Sequence, residues 1–86
     1  MKISYNKKFS KEYTKLSEQI KDKFIKRQSL LVTDYFHPLL NNHQLQGEYS
    51  GCRSINITGD MRAIFEELGN NHIEFIAIGG HSELYS

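Results

Sequence analysis

A chain of 86 residues, 38% of them hydrophobic, makes one small domain that buries only about 60% of its unfolded surface. That excludes a two-domain enzyme with an enclosed cofactor pocket. The net charge of +1 conceals a division: residues 1–27 hold nine of the eleven basic residues against three acids, a net +6, whereas residues 28–86 carry −5 and have only Arg53 and Arg62 as cations. A basic front joined to an acidic back points to a polyanionic partner.

Residues 2–5 alternate polar and apolar side chains and predict a short strand. Ser10 suits the N-cap of a helix that follows. Tyr13, Leu16, Ile20, Phe24 and Leu31 then recur at helical spacing, with lysines on the opposite face. Ser17, followed by Glu18 and Gln19, can cap a fresh helix, so the region reads as one helix or as two with a break near Leu16. The helical signal ends at His37-Pro38, because proline disfavours helix in the residue before it. Polar residues and two glycines make 38–51 a connecting loop. From Arg53 the period changes to two, with Ile55 and Ile57 on one face and Ser54 and Asn56 on the other. Thr58-Gly59-Asp60 is a turn, 61–68 a strand, and Gly69-Asn70-Asn71 a hairpin signal. The final strand, 73–78, ends in a continuous apolar run, as expected for a strand covered on both faces. The expected fold is a single α+β domain over residues 1–86: an N-terminal strand and helices packed on a mainly antiparallel sheet, completed by a three-stranded meander.

A single cysteine, Cys52, excludes an internal disulfide and a cysteine-based zinc site and favours a reducing compartment. The basic N-terminus is not followed by the apolar run of a secretory signal, and the most apolar stretch, 73–79, is too short to span a bilayer. The expected location is the cytoplasm.

The chemical inventory is small. His43 lies in the connecting loop, Asp60 and Arg62 flank a turn, and His81 follows Gly79-Gly80, with Tyr85 four residues later. Loops and strand ends are where reactive side chains tend to sit. Each residue also has a plainer reading: Asp60 suits its turn, and Arg53 and Arg62 have Glu48, Glu66 and Glu67 available as ion-pair partners. His37 reads as a surface or capping residue, and His72 as a neighbour of the hairpin turn. No pair among His43, Asp60 and His81 has metal-ligand spacing, so no metal site is expected.

The run from His43 through Gly47, Gly51, Arg53, Asn56, Gly59, Asp60 and Arg62 to Phe65, followed by Gly80-His81-Ser82-Glu83-Leu84-Tyr85, resembles the RelE superfamily of toxins, nearest the YafQ-type mRNA interferases of bacterial type II toxin–antitoxin modules. Tyr35 to His43 is similar to the family's helix end and loop, so the resemblance covers the whole chain. It implies a ribosome-dependent endoribonuclease that cuts mRNA with the RNA 2′-hydroxyl as nucleophile, needs no metal or other cofactor, and is neutralised by a cognate antitoxin. The toxin would be a monomer within a toxin–antitoxin hetero-oligomer. By the same resemblance, His43, Asp60, His81 and Tyr85 occupy catalytic positions, and Arg53, Asn56 and Arg62 suit substrate contact. The general base would be Asp60 or His43, and the general acid His81. Asn56 stands where the YafQ branch carries a histidine, and Met61 where it often carries tryptophan. The rival reading is a binding module that has lost catalysis and docks on antitoxin or ribosome.

Overall fold

A computed structural model describes residues 1–85. Strand β1 (Lys2–Tyr5) leads into helices α1 (Lys7–Thr14) and α2 (Glu18–Thr33). A 3₁₀ turn at Pro38–Leu40 follows, then β2 (His43–Gln44) and a second 3₁₀ turn at Gly47–Tyr49. Strands β3 (Cys52–Asn56), β4 (Met61–Gly69) and β5 (His72–Gly80) form the meander, and α3 (His81–Tyr85) follows it. The sheet order is β1-β5-β4-β3-β2, with β1 parallel to β5 and every other pair antiparallel.

The α+β reading holds, and the helical region is two helices. Ser17 caps α2 by accepting from the Ile20 N–H. The first helix, however, is capped by Asn6, whose Oδ1 accepts from the Phe9 N–H at 2.7 Å, and Ser10 lies inside it. An asparagine three residues before an apolar position satisfies an orphan helix donor as well as serine does. The 38–51 segment contains the two-residue strand β2, which pairs with β3 through His43 opposite Ser54 and Gln44 opposite Arg53. The hairpin forms where expected, with positive φ at Gly69, Asn70 and Asn71.

The main core lies between the helices and one face of the sheet. Phe75, fully buried on β5, packs against Phe9 of α1, Phe24 of α2 and Phe65 of β4 with ring centroids 5.0–5.5 Å apart. Ile55, Ile57, Leu31 and Leu40 close around this aromatic group, and Tyr13, Leu16 and Ile20 pack at its margin, completing the helical stripe. The opposite face carries a smaller cluster in which Leu84 of α3 covers Ile64 and Ala77. A bulge links the two. Ile64 pairs with Ala77 but Phe65 with Phe75, so Ile76 is an extra residue that resets the alternation. This places Phe75 and Ile78 in the helix-side core and Ala77 under α3. The apolar run in β5 is therefore covered on both sides, as its composition predicts.

Candidate functional site

The site lies on the face of the sheet away from α1 and α2. Strand alternation sends Ile55 and Ile57 into the main core and Ser54 and Asn56 to the other side. The register sets His43 of β2 opposite Ser54, and Asn56 opposite Arg62 of β4, which in turn faces Gly79 of β5. At the end of β5 the chain turns directly into α3, which returns His81 and Tyr85 over this face. A concavity of about 400 Å³ results, lined by Asn41, His43, Leu45, Ser54, Arg62, His81 and Tyr85. Of the seven residues singled out in the sequence, four thus meet in one depression: His43, Arg62, His81 and Tyr85.

Each of these side chains is positioned by its surroundings. His43 Nδ1 lies 2.7 Å from the Asn41 carbonyl. Arg62 Nη1 lies 3.2 Å from each of the carbonyls of Thr58, Gly59 and Met61, which holds the guanidinium across the β3–β4 turn. None of the ion pairs among the described residues involves Arg62. The His81 and Tyr85 rings pack at 4.8 Å, and Tyr49 meets Tyr85 edge-on at 6.3 Å. The Tyr85 hydroxyl donates to Ser54 Oγ at 3.3 Å, tying the end of α3 to a fully buried residue of β3.

The remaining three residues stand apart. Asp60 does not line the concavity, but its carbonyl accepts the His81 N–H at 3.1 Å, and its carboxylate lies against Gly80. A Cβ on Gly80 would come 2.7 Å from Asp60 Oδ2 and 3.1 Å from Glu83 Oε1, so the bare glycine leaves room for the two carboxylates at this corner. Glu83 also accepts the Gly80 N–H at 2.7 Å, bracing the first turn of α3. Asn56 borders the site beside Arg62, where its Oδ1 is buried without a partner among the described residues. Arg53 is on the helix side of the sheet. Its guanidinium stacks over Phe36 at 5.3 Å and Tyr35 at 6.0 Å, and its Nε donates to Asn42 Oδ1 at 2.6 Å. Asn42 Nδ2 in turn donates to the Tyr35 carbonyl, so Arg53 braces the loop that leads to His43.

The two discounted histidines have structural partners. His37 Nδ1 accepts the Leu39 N–H and caps the 3₁₀ turn, and His72 Nε2 bonds Ser4 Oγ across β1 and β5. Away from the site, burial and the Glu67 carboxylate push the Tyr35 hydroxyl pKa up, and burial raises that of the Cys52 thiol. Among the described residues no group of three or more His, Cys, Asp or Glu side chains is arranged to hold a metal ion. Ser54 and Asn41 line the site without having been singled out. Ser54 shares the parity of Asn56, a signal present in the strand pattern, whereas Asn41 contributes a main-chain atom that no residue type announces.

The family model for the YafQ bacterial toxin of type II toxin–antitoxin systems matches residues 1–86. The chain belongs to the YafQ toxin family. Solved structures agree in fold. YafQ from E. coli strain BL21(DE3) superposes with a TM-score of 0.82 at 23% identity, covering 98% of this chain and 97% of that one. A YoeB/ParE toxin from Agrobacterium tumefaciens gives 0.79 at 20% identity, over 94% and 99% of the two chains. The E. coli DinJ–YafQ toxin–antitoxin complex gives 0.78 at 24% identity, over 98% and 96%. No significant sequence match to a curated protein was found. As a YafQ-family member the chain is a type II toxin with the RelE-like fold, and no helix among its described residues is long and apolar enough to cross a membrane.

The contact between Tyr85 and Ser54 gives a direct test of how α3 is held. Tyr85→Phe and Ser54→Ala are each expected to cost about 0.5–1.5 kcal/mol of stability. In a double-mutant cycle read by urea unfolding, the second change should add little to the first. Fully additive losses would show that the hydroxyl pair does not anchor the helix.

Proposed function

We propose that this toxin is a ribosome-dependent mRNA endoribonuclease. The observation that carries the reading is the convergence of His43, Arg62, His81 and Tyr85, from three separate elements, on one concavity. Two imidazoles facing one depression supply a proton acceptor and a proton donor whose ordinary pKa lies near neutrality. In the proposed reaction His43 removes the 2′-hydroxyl proton. The 2′-oxygen then bonds to phosphorus as the P–O5′ bond breaks, and His81 delivers a proton to the leaving 5′-oxygen. The products are a 2′,3′-cyclic phosphate and a 5′-hydroxyl. Arg62, held by carbonyls and unpaired with carboxylate among the described residues, stabilises charge on the phosphorane. Tyr85, 38% exposed, offers a ring on which a base stacks. Asp60 takes a positioning role, since its carbonyl holds the start of α3. Lys7, Lys8 and Lys11 of α1, with Lys15 at its C-terminal cap, provide the basic surface for the RNA backbone of the ribosome.

The partner proposed to restrain this activity is a cognate antitoxin, as DinJ stands with YafQ in the solved E. coli complex. The competing reading is a toxin relative that docks without cutting, and Asn56, in a position where its branch carries histidine, is what favours it. Induced expression in a bacterial host separates the two. The nuclease should arrest growth and leave mRNA broken at codon-phased positions with cyclic phosphate ends, and co-expressed antitoxin should relieve the arrest. Arrest with intact mRNA would establish the docking reading.

A further inference from the structure

Nothing in the identity of two histidines says which nitrogen of either one takes or gives a proton. For His43 the fold makes that choice. Its Nδ1 sits 2.7 Å from the Asn41 carbonyl oxygen. A carbonyl can only accept, so Nδ1 must carry hydrogen whether the ring is neutral or cationic. In the neutral ring the lone pair is then on Nε2. A free histidine side chain favours the opposite tautomer, with its proton on Nε2, so the contact reverses the intrinsic preference.

The carbonyl is aimed by an unusual backbone. Asn41 closes the 3₁₀ turn at Pro38–Leu40 in the left-handed conformation, φ 45° and ψ 46°, with its N–H bonded to the Pro38 carbonyl. Asparagine and glycine tolerate this region, and β-branched residues do not. Both neighbours are fixed: Leu40 is fully buried, and Asn42 is held by the Tyr35 carbonyl and Arg53 Nε. The reversal at Asn41 therefore occurs between two anchored residues, and its carbonyl has little freedom to turn away.

We infer that Asn41 is a positioning residue that locks His43 as the Nδ1–H tautomer, making Nε2 the atom that accepts the 2′-hydroxyl proton. The role of that atom rests on the nuclease reading above; the lock itself does not. The imidazolium formed on proton transfer keeps its bond to Asn41, so charge develops with no rearrangement of the ring. His81 has no hydrogen bond to its ring among the described residues, so no protein partner competes with the leaving 5′-oxygen for its ring nitrogens.

The test is nitrogen NMR on protein labelled with 15N-histidine, at a pH above about 8.5, where an ordinary imidazole is neutral. His43 should show a protonated, pyrrole-type Nδ1 and a pyridine-type Nε2. Asn41→Gly, which keeps the left-handed turn, should retain this signature, whereas Asn41→Val should mix the tautomers and slow cleavage on the order of ten-fold or more. A wild-type ring protonated on Nε2 overturns the inference without any variant having to fold. So does a folded Asn41→Val protein that keeps both the signature and full activity. The spectrum is independent of RNA cleavage, so a protein with the expected tautomer that cuts no RNA would leave the lock standing and defeat the nuclease reading.

Discussion

His81→Ala is expected to slow cleavage of ribosome-bound mRNA by about 10²- to 10⁴-fold, the range over which a positioned acid or base contributes. The substitution removes the imidazole and leaves the scaffold of α3 in place. His81 is exposed, its main-chain N–H is the group that bonds the Asp60 carbonyl, and the helix is anchored by the buried Leu84 and by Tyr85 on Ser54. The change in stability should therefore stay within about 0.5 kcal/mol, as for a surface substitution. Single-turnover cleavage together with urea unfolding on the same preparation separates chemistry from folding. Cleavage that survives His81→Ala within a few-fold would remove His81 from the proton transfers. An activity loss matched by an unfolded protein would assign the residue to structure.

The largest expected effect on stability is that of Phe75→Ala, at about 3–5 kcal/mol. Phe75 is fully buried and is the ring through which both helices reach the sheet: Phe9 meets it from α1, Phe24 from α2, and Phe65 from the neighbouring strand. Truncation leaves three aromatic partners around a void that a thin core cannot collapse to fill. A domain of this size has only about 5–15 kcal/mol to lose, so the variant should unfold at a much lower urea concentration. A cost below about 1.5 kcal/mol would mean that the helices are held mainly by contacts elsewhere. The two predictions divide the molecule: one face of the sheet holds it together and the other carries the site.

That division was already present in the alternation of β3. Ile55 and Ile57 face the core while Ser54 and Asn56 face the site, and the same parity assigns Arg53 to the helix side with the isoleucines. It likewise sets Ser54 beside Asn56 on the face of the concavity. The helices, the break at Ser17 and the Gly69-Asn70-Asn71 hairpin were legible because each rests on local chemistry: an apolar stripe, a cap, a positive φ. Strand β2 was not, since two residues give no periodicity and pair only because β3 offers an edge. Nor was α3. Five residues carry too few apolar positions to show a stripe, and their helix depends on Leu84 meeting Ile64 and Ala77 and on Glu83 reaching back to Gly80. The site itself was legible as a set of residue types. Its internal arrangement depends on main-chain atoms, the Asn41 and Asp60 carbonyls, that are the same in every residue.

The placement of β1 also bears on how the chain folds. β1 pairs with β5 across about seventy residues of sequence, whereas β4 and β5 are joined by a tight turn. Loop closure makes distant pairings the later ones, so the hairpin should form while the outer side of β5 is still bare. Until Lys2–Tyr5 arrive, that side presents unpaired donors and acceptors from an apolar strand, a template for the same strand of another molecule. The first strand is thus a stopper as well as a structural element, and a molecule that loses it should aggregate before it loses its helices.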